Sequence, residues 1–218
     1  MFTVSENNTD FSWQRTNMVT SQLELRGIKD ERVLEAMRLV PRHLFVPDDL
    51  RDRAYADSAL PIGYGQTISQ PYSVALMCEI ACITPQDKVL EIGAGSGYQA
   101  AVLSLLSQEV YAIEIVEPLG KSAQKRLKNL GYKNIHVKIG DGYPGWPEHA
   151  PYDAILIAAA AAEAPQPLLD QLAMNRRLVM PLGSGFDQQL VRFTKTETGL
   201  KEEMLDSVLF VPFQRDFK

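Results

Sequence analysis

Residues 89–98, Val-Leu-Glu-Ile-Gly-Ala-Gly-Ser-Gly-Tyr, set one carboxylate, Glu91, just ahead of three alternating glycines, Gly93, Gly95 and Gly97. The apolar run Val89, Leu90 and Ile92 reads as a strand. Tyr98, Ala101, Val102 and Leu105 then recur at helical spacing. A strand thus ends in a turn largely free of Cβ atoms, followed at once by a helix N-terminus. Such a turn lets a ligand approach the backbone closely at the carboxyl end of a parallel sheet.

Dinucleotide sites use glycines in the pattern G-x-G-x-x-G, with a pyrophosphate on the helix N-terminus. Here the third glycine comes one position early and Tyr98 stands where the last glycine belongs. Glu91 would also repel a pyrophosphate. An acid at that place suits a ligand carrying an ammonium or sulfonium group, and S-adenosylmethionine has both. A second strand, Val110–Ile113, ends in Glu114, a candidate for both ribose hydroxyls. A third, Ile135–Ile139, ends in Gly140-Asp141-Gly142, where Asp141 is a candidate adenine contact. Three acids at three strand tips are expected to form one cradle. Taken singly, Glu114 also reads as a solvated carboxylate near a helix N-terminus, and Asp141-Gly142 as a turn.

The elements that hold these tips follow from periodicity. Strands are expected near 88–93, 110–115, 135–140, 153–159 and 177–182, alternating with helices, the last near 166–174. Apolar strands between amphipathic helices indicate a Rossmann-like, doubly wound and mostly parallel α/β sheet covered on both faces. Residues 10–27 and 30–40 read as helices, the second capped by Asp30 and stopped by Pro41. Residues 41–72 are loop-rich, with prolines at 41, 47, 61 and 71, and a helix follows from Tyr72 to about Ile83. In the tail, Gln189–Thr194 and Ser207–Val211 read as strands joined by a charged loop around Gly199, an antiparallel addition to the sheet edge. The expected division is one domain over 1–218: helices and a loop in 1–84, the cofactor-binding core in 85–185, and C-terminal strands in 186–218.

The chain has 218 residues, 45% of them hydrophobic, and a formal net charge of −5. That balance offers no basic surface for nucleic acid. Lys121, Lys125, Arg126, Lys128 and Lys133 cluster opposite an apolar stripe and read as the wet side of a helix ended by Gly131. No apolar segment has membrane-spanning length, and the N-terminus lacks the apolar core of a signal peptide. Cys78 and Cys82 are expected to be buried, reduced thiols, which points to the cytoplasm. His43, His136 and His149 show no metal-ligand spacing, so no metal is expected.

Residues 65–72, Gly-Gln-Thr-Ile-Ser-Gln-Pro-Tyr, lie upstream of the glycine turn. Gly140-Asp141-Gly142, Gly145-Trp146, Ala159–Ala161 and Pro165-Gln166 follow it. With these motifs the chain resembles the protein-L-isoaspartate (D-aspartate) O-methyltransferase family, among the class I S-adenosylmethionine-dependent methyltransferases, from about residue 12 to 215. The resemblance implies a seven-stranded sheet. It implies methyl transfer from S-adenosylmethionine to the free α-carboxylate of L-isoaspartyl residues in damaged proteins and peptides, the ester then closing to a succinimide. It assigns the donor site to Gln66, Thr67, Ile68, Ser69, Glu91, Gly93, Gly95, Ser96, Gly97, Glu114, Ile115, Asp141 and Gly142, and the active-site serine to Ser69. A monomer is expected. The family usually has threonine or glycine at position 158 and proline at 162, whereas this chain has alanine at both, which bears on substrate preference.

The chemistry agrees. A carboxylate acceptor is already ionised at neutral pH, so no base has to deprotonate it. Ser69 has no evident base partner and reads as an orienting group, not a nucleophile. Val208–Phe213 reads either as lining for a peptide groove or as an edge strand. Three rivals stand beside this reading: a methyltransferase of the same fold acting on a small molecule or RNA, an NAD-dependent oxidoreductase, and a scaffold that has lost turnover. The upstream loop disfavours the first, Tyr98 and Glu91 the second, and the complete set of acids and glycines the third.

Overall fold

The computed structural model describes residues 10–215. Helix α1, Ser12–Met18, opens the N-terminal segment, and α2 spans Glu31–Leu39. Asp30 caps α2 through an Oδ1 that accepts from the Arg32 N–H at 2.9 Å. The single helix expected over 10–27 is instead three pieces: α1, a π-turn at Val19–Leu23 and a 3-10 turn at Glu24–Arg26, closed by Gly27 at φ +98°. Met18, Val19 and Leu23 are all buried, so the winding changes while the apolar side still faces the core.

The stretch from 41 to 72 is less irregular than its prolines suggest. Two 3-10 turns, Arg42–Leu44 and Asp48–Arg53, lead into an antiparallel hairpin of β1, Leu60–Gly63, and β2, Gln66–Ile68. Its tip runs through Tyr64 at φ +54° and Gly65 at φ +70°. Two successive residues at positive φ make the tight turn that matches strand twist. Helix α3, Pro71–Ala81, starts at once, with Pro71 where a missing N–H costs nothing.

The main sheet is built from β3 (Lys88–Ile92), β4 (Glu109–Glu114), β5 (Ile135–Ile139), β6 (Tyr152–Ile157), β7 (Leu172–Ser184), β8 (Asp187–Thr196) and β9 (Gly199–Ser207). Its order is β5-β4-β3-β6-β7-β8-β9, parallel through β7 and antiparallel beyond. Helix α4 (Tyr98–Leu106) joins β3 to β4, α5 (Glu117–Asn129) joins β4 to β5, and α6 (Gln166–Gln171) precedes β7. Side chains alternate along the strands. Val89, Ala112, Ala154 and Val179 face one core, shared with residues of α2, α3 and α4. Leu90, Ile92, Ile113, Ile155 and Leu178 face the other, shared with Leu168 of α6. From β3 the chain moves outward to β4 and β5, then returns to β6 on the opposite flank. The strand order therefore reverses between β3 and β6, where open α/β sheets bind ligands at their carboxyl ends.

Two tail expectations need correction. The helix near 166–174 stops at Gln171, because Leu172 already pairs with Tyr152 in the sheet. The charged segment after Gly199 is strand β9, which ends at Ser207, and residues 208–211 are not a strand. Lys201, Glu202 and Glu203 sit on an outermost strand, where charge is compatible with sheet structure. The Arg192 guanidinium on β8 also reaches Glu203 at 3.0 Å across the ladder.

Candidate active site

At the β3–β6 reversal lies a cleft of about 770 Å³, counted out to its open mouth. One side is the set of strand tips. Gly93, Gly95 and Gly97 all take positive φ, at +90°, +52° and +85°. The turn is fastened by the Gly93 and Ala94 N–H groups, which donate to the Ile113 carbonyl at 2.8 and 3.1 Å. A Cβ on Gly97 would stand 3.2 Å from Leu127 Cδ1, so glycine there lets the start of α4 settle against α5. Among the cleft glycines Gly142 carries the strictest limit: a Cβ would lie 2.4 Å from Ile92 Cγ2. Only glycine lets the turn after β5 close onto β3.

Glu91 is fully buried on the cleft lining, and neither carboxylate oxygen has a hydrogen-bond partner. Burial, and then the charge of Glu114, hold its carboxyl well above the usual carboxylate range. Glu114 is better provided for. One oxygen accepts from the Gly95 N–H at 2.6 Å, the other from the Val116 N–H at 2.9 Å. Burial raises its pKa, and these amide bonds pull the other way. Ser96, Ile113, Ile115 and Gly142 complete this side. Asp141 does not line the cleft. It accepts from the Tyr143 N–H at 2.8 Å and stands 3.7 Å from the Arg215 Nε. Two acids face the cavity and the third sits beside its rim.

The opposite side comes from β2 and the residues after it: Gln66, Thr67, Ile68 and Ser69 all line the cleft. The segment is held from behind by Arg42, whose Nη2 donates to the Ser69 carbonyl at 2.7 Å and whose Nε donates to the Ala54 carbonyl at 2.8 Å. Tyr98, out of place for a dinucleotide turn, is buried with its ring edge-on to Phe45 at 5.6 Å and under the Arg42 guanidinium at 4.7 Å. It ties α4 to the N-terminal segment.

The third side is a strap, Val211–Gln214. The Ala160 N–H donates to the Val211 carbonyl and the Phe213 N–H donates to the Ala160 carbonyl, both at 2.8 Å. Val208 and Phe210 donate to the backbone and side chain of Gln188. These N–H groups are already engaged, so the edge-strand reading of Val208–Phe213 is set aside. Pro212 and Phe213 also border a second hollow, with Ala160–Ala162, Tyr143 and Pro165. Ala162 faces this hollow, whereas Ala158 sits over Gly93 in the first cleft.

Sequence reasoning missed Arg42, Gln99 and Gln214. The Gln99 Nε2 and the Gln214 Oε1 are buried on the cleft without partners. Nothing in their spacing marks them, since each reaches the site only through folding. Among the described residues, no group of three or more His, Cys, Asp or Glu side chains could hold a metal ion, and no helix is long and apolar enough to cross a membrane.

The unpartnered Glu91 carboxylate fits a cationic ligand, and Glu114 at the next tip fits a sugar diol. Together with the reversal in strand order they define a Rossmann-like, donor-binding methyltransferase fold. A family model described as protein-L-isoaspartate (D-aspartate) O-methyltransferase matches residues 14–217, and the chain belongs to that family. It is 58% identical to the protein-L-isoaspartate O-methyltransferase of Synechococcus sp. (strain JA-2-3B'a(2-13)), over 93% of this chain and 86% of that one. It is 56% identical to the enzyme of that name from Picosynechococcus sp., over 92% and 90%. A putative protein-L-isoaspartate O-methyltransferase from Plasmodium falciparum, solved with S-adenosyl-L-homocysteine, superposes with a TM-score of 0.80 at 27% identity, over 97% of this chain and all of that one.

Proposed function

We propose that this protein methylates the free α-carboxylate of L-isoaspartyl residues in proteins and peptides, with S-adenosylmethionine as donor, and so begins their repair through a succinimide. The observation that carries the donor site is Glu91: a buried carboxylate with no partner, facing a cavity, calls for a cation. S-adenosylmethionine supplies an electrophilic methyl on a positively charged sulfur, beside an ammonium. Glu91 meets that positive charge, Glu114 accepts the ribose hydroxyls, and the turn from Gly93 to Gly97 leaves room for the ligand against the backbone. Ile115, Ser96 and Gly142 border the nucleoside, and Asp141 acts from the rim.

Gln66, Thr67 and Ile68 close the cleft from the far side. Ser69 orients the acceptor carboxylate through its hydroxyl and neighbouring amides, and holds one oxygen in line with the methyl. No proton moves, because the acceptor arrives ionised. As the new C–O bond forms, the C–S bond breaks and the thioether leaves neutral. Positioning of this kind contributes roughly 7–11 kcal/mol. The second hollow beside Pro212 and Phe213 takes the peptide flanking the isoaspartyl residue, with Ala162 on its lining.

Radiolabelled methyl transfer to an isoaspartyl peptide, against the same peptide with normal aspartate, tests the reaction. Label in the first and none in the second is expected; equal labelling, or none in either, overturns it. Ser69→Ala is expected to keep S-adenosylhomocysteine binding and lose most transfer, and unchanged turnover would remove Ser69 from the mechanism. The same reading makes the protein a monomer in the cytoplasm that leaves nucleic acid alone. Both cysteines are free thiols, as a reducing compartment allows, but only Cys78 is buried as expected: Cys82, at the left-handed C-cap of α3, is exposed.

A further inference from the structure

Arg42 is among the most deeply buried side chains, with no exposed surface. A buried guanidinium is ordinarily matched by a carboxylate. Among the described residues Arg42 has none: its partners are the carbonyls of Ala54 and Ser69, and its Nη1 has no partner at all. The neighbouring ionisable groups are the Tyr98 and Tyr55 hydroxyls, both held protonated by burial, and among the described residues no carboxylate hydrogen-bonds or ion-pairs with it. His43, next in sequence, adds no positive charge near neutrality, since burial lowers its pKa to about 4. The cation remains ionised, because arginine does not give up its proton in proteins.

Its position gives the excess charge a use. The guanidinium lies directly behind Ser69 and 4.7 Å from the Tyr98 ring, and both residues line the cleft. Across the cavity stand Glu91 and Glu114, two buried acids without a cation. The site is therefore asymmetric, with two acids where the donor binds and a cation where the acceptor binds. We propose that Arg42 supplies the countercharge that draws the substrate carboxylate to the Ser69 side, acting as a positioning residue through the Ser69 backbone without touching the reacting atoms. This rests on the reading of Ser69 as the acceptor-orienting group. Transfer neutralises both reactants, so a fixed positive charge behind the acceptor favours the bound ground state over the transition state. Arg42 accordingly lowers acceptor KM, and its loss raises KM without lowering kcat.

A purely structural staple, one that only fastens the Ala54 and Ser69 carbonyls, is the competing role. Two peptides separate them: the isoaspartyl substrate, and its carboxamide counterpart used as a competitive inhibitor, identical in shape but neutral. The native enzyme is expected to prefer the carboxylate. In Arg42→Gln that preference falls about tenfold, as expected for losing one charge at short range in a partly shielded site, while S-adenosylhomocysteine binding holds. Arg42→Lys restores the preference at neutral pH and loses it as the pH rises through the lysine pKa, which the native enzyme does not do. The lysine variant keeps the test open if the glutamine variant does not fold. Equal weakening of both peptides, or a lysine variant whose preference ignores pH, overturns the proposal. If the native enzyme itself does not discriminate or does not methylate, it is the functional reading that fails.

Discussion

The two sides of the cleft, which we propose hold the donor and the acceptor, are built by opposite strategies. The donor side is three neighbouring strand tips, each ending where a parallel strand must end, and each contributing residues adjacent in sequence. The acceptor side gathers residues 42, 66–69, 158–162 and 211–214, which meet only because Arg42 grips a loop carbonyl and the strap hydrogen-bonds to Ala160. Their charges are opposite as well, with unmatched acids on one side and an unmatched guanidinium on the other. A site made of sheet tips inherits its geometry from the backbone ladder. One made of loops depends on individual anchors, and single substitutions should expose the contrast.

The largest effect is expected at Glu91. In Glu91→Leu the donor product loses about 100-fold or more in affinity, in line with roughly 2–5 kcal/mol for breaking a buried charge pair. The empty protein becomes more stable, because an unpartnered buried acid is replaced by an apolar side chain. Calorimetry with S-adenosylhomocysteine and denaturant melts of the free protein read the two together. A loss in both would mean that Glu91 serves the fold and not the ligand.

Next in size is the acceptor side. Ala162→Leu should raise KM about three- to tenfold for peptides with bulky residues beside the isoaspartate, the effect of a few methylene-sized contacts. Donor binding should not change. Ala158→Thr, over Gly93, is expected to act on both sides, and a steady-state comparison of short and bulky peptides would sort the two positions.

The smallest effect is on stability against pH, and its sign differs between the strand tips and the N-terminal segment behind Ser69. Glu91 and Glu114 have folded pKa values above their unfolded ones. Their contribution is complete below the unfolded carboxylate range and is lost as pH rises through the folded values. His43, whose ring stacks on Phe11 at 4.5 Å and whose Nδ1 meets the Tyr55 hydroxyl at 2.7 Å, has its pKa lowered from 6.5 to about 4. Its contribution is complete above 6.5 and is lost as pH falls toward 4. Glu91→Gln should flatten the alkaline limb of the stability curve and His43→Phe the acid limb. Denaturant midpoints from pH 4 to 9 would detect either, and a common response would erase the distinction.

Legibility in sequence followed the same division. Glu91, the glycines, Glu114 and Gly142 could be read directly, because a strand, a turn and a helix are each local patterns and the parallel sheet brings successive tips together. Only the resemblance points to Ser69, which lines the cleft, since a lone serine before Gln70-Pro71 has no pattern of its own. The charged strand β9 carries no strand signal in sequence, because such signals assume a half-buried surface, which an edge does not provide. The hairpin at 60–68 was hidden by a turn built on Tyr64, where Asn or Gly would have marked it.

The order of apolar strands, amphipathic helices and glycine turns dictated by the sequence was enough to determine a doubly wound sheet and which residues stand at its tips, for these depend on neighbours along the chain. Tertiary packing alone decided that Asp141 leaves the cavity for Arg215, that the strap after β9 closes the cleft, and that an arginine without a carboxylate stands behind Ser69. Each depends on burial and on partners far apart in sequence, and no local pattern encodes whether a charge will find its match.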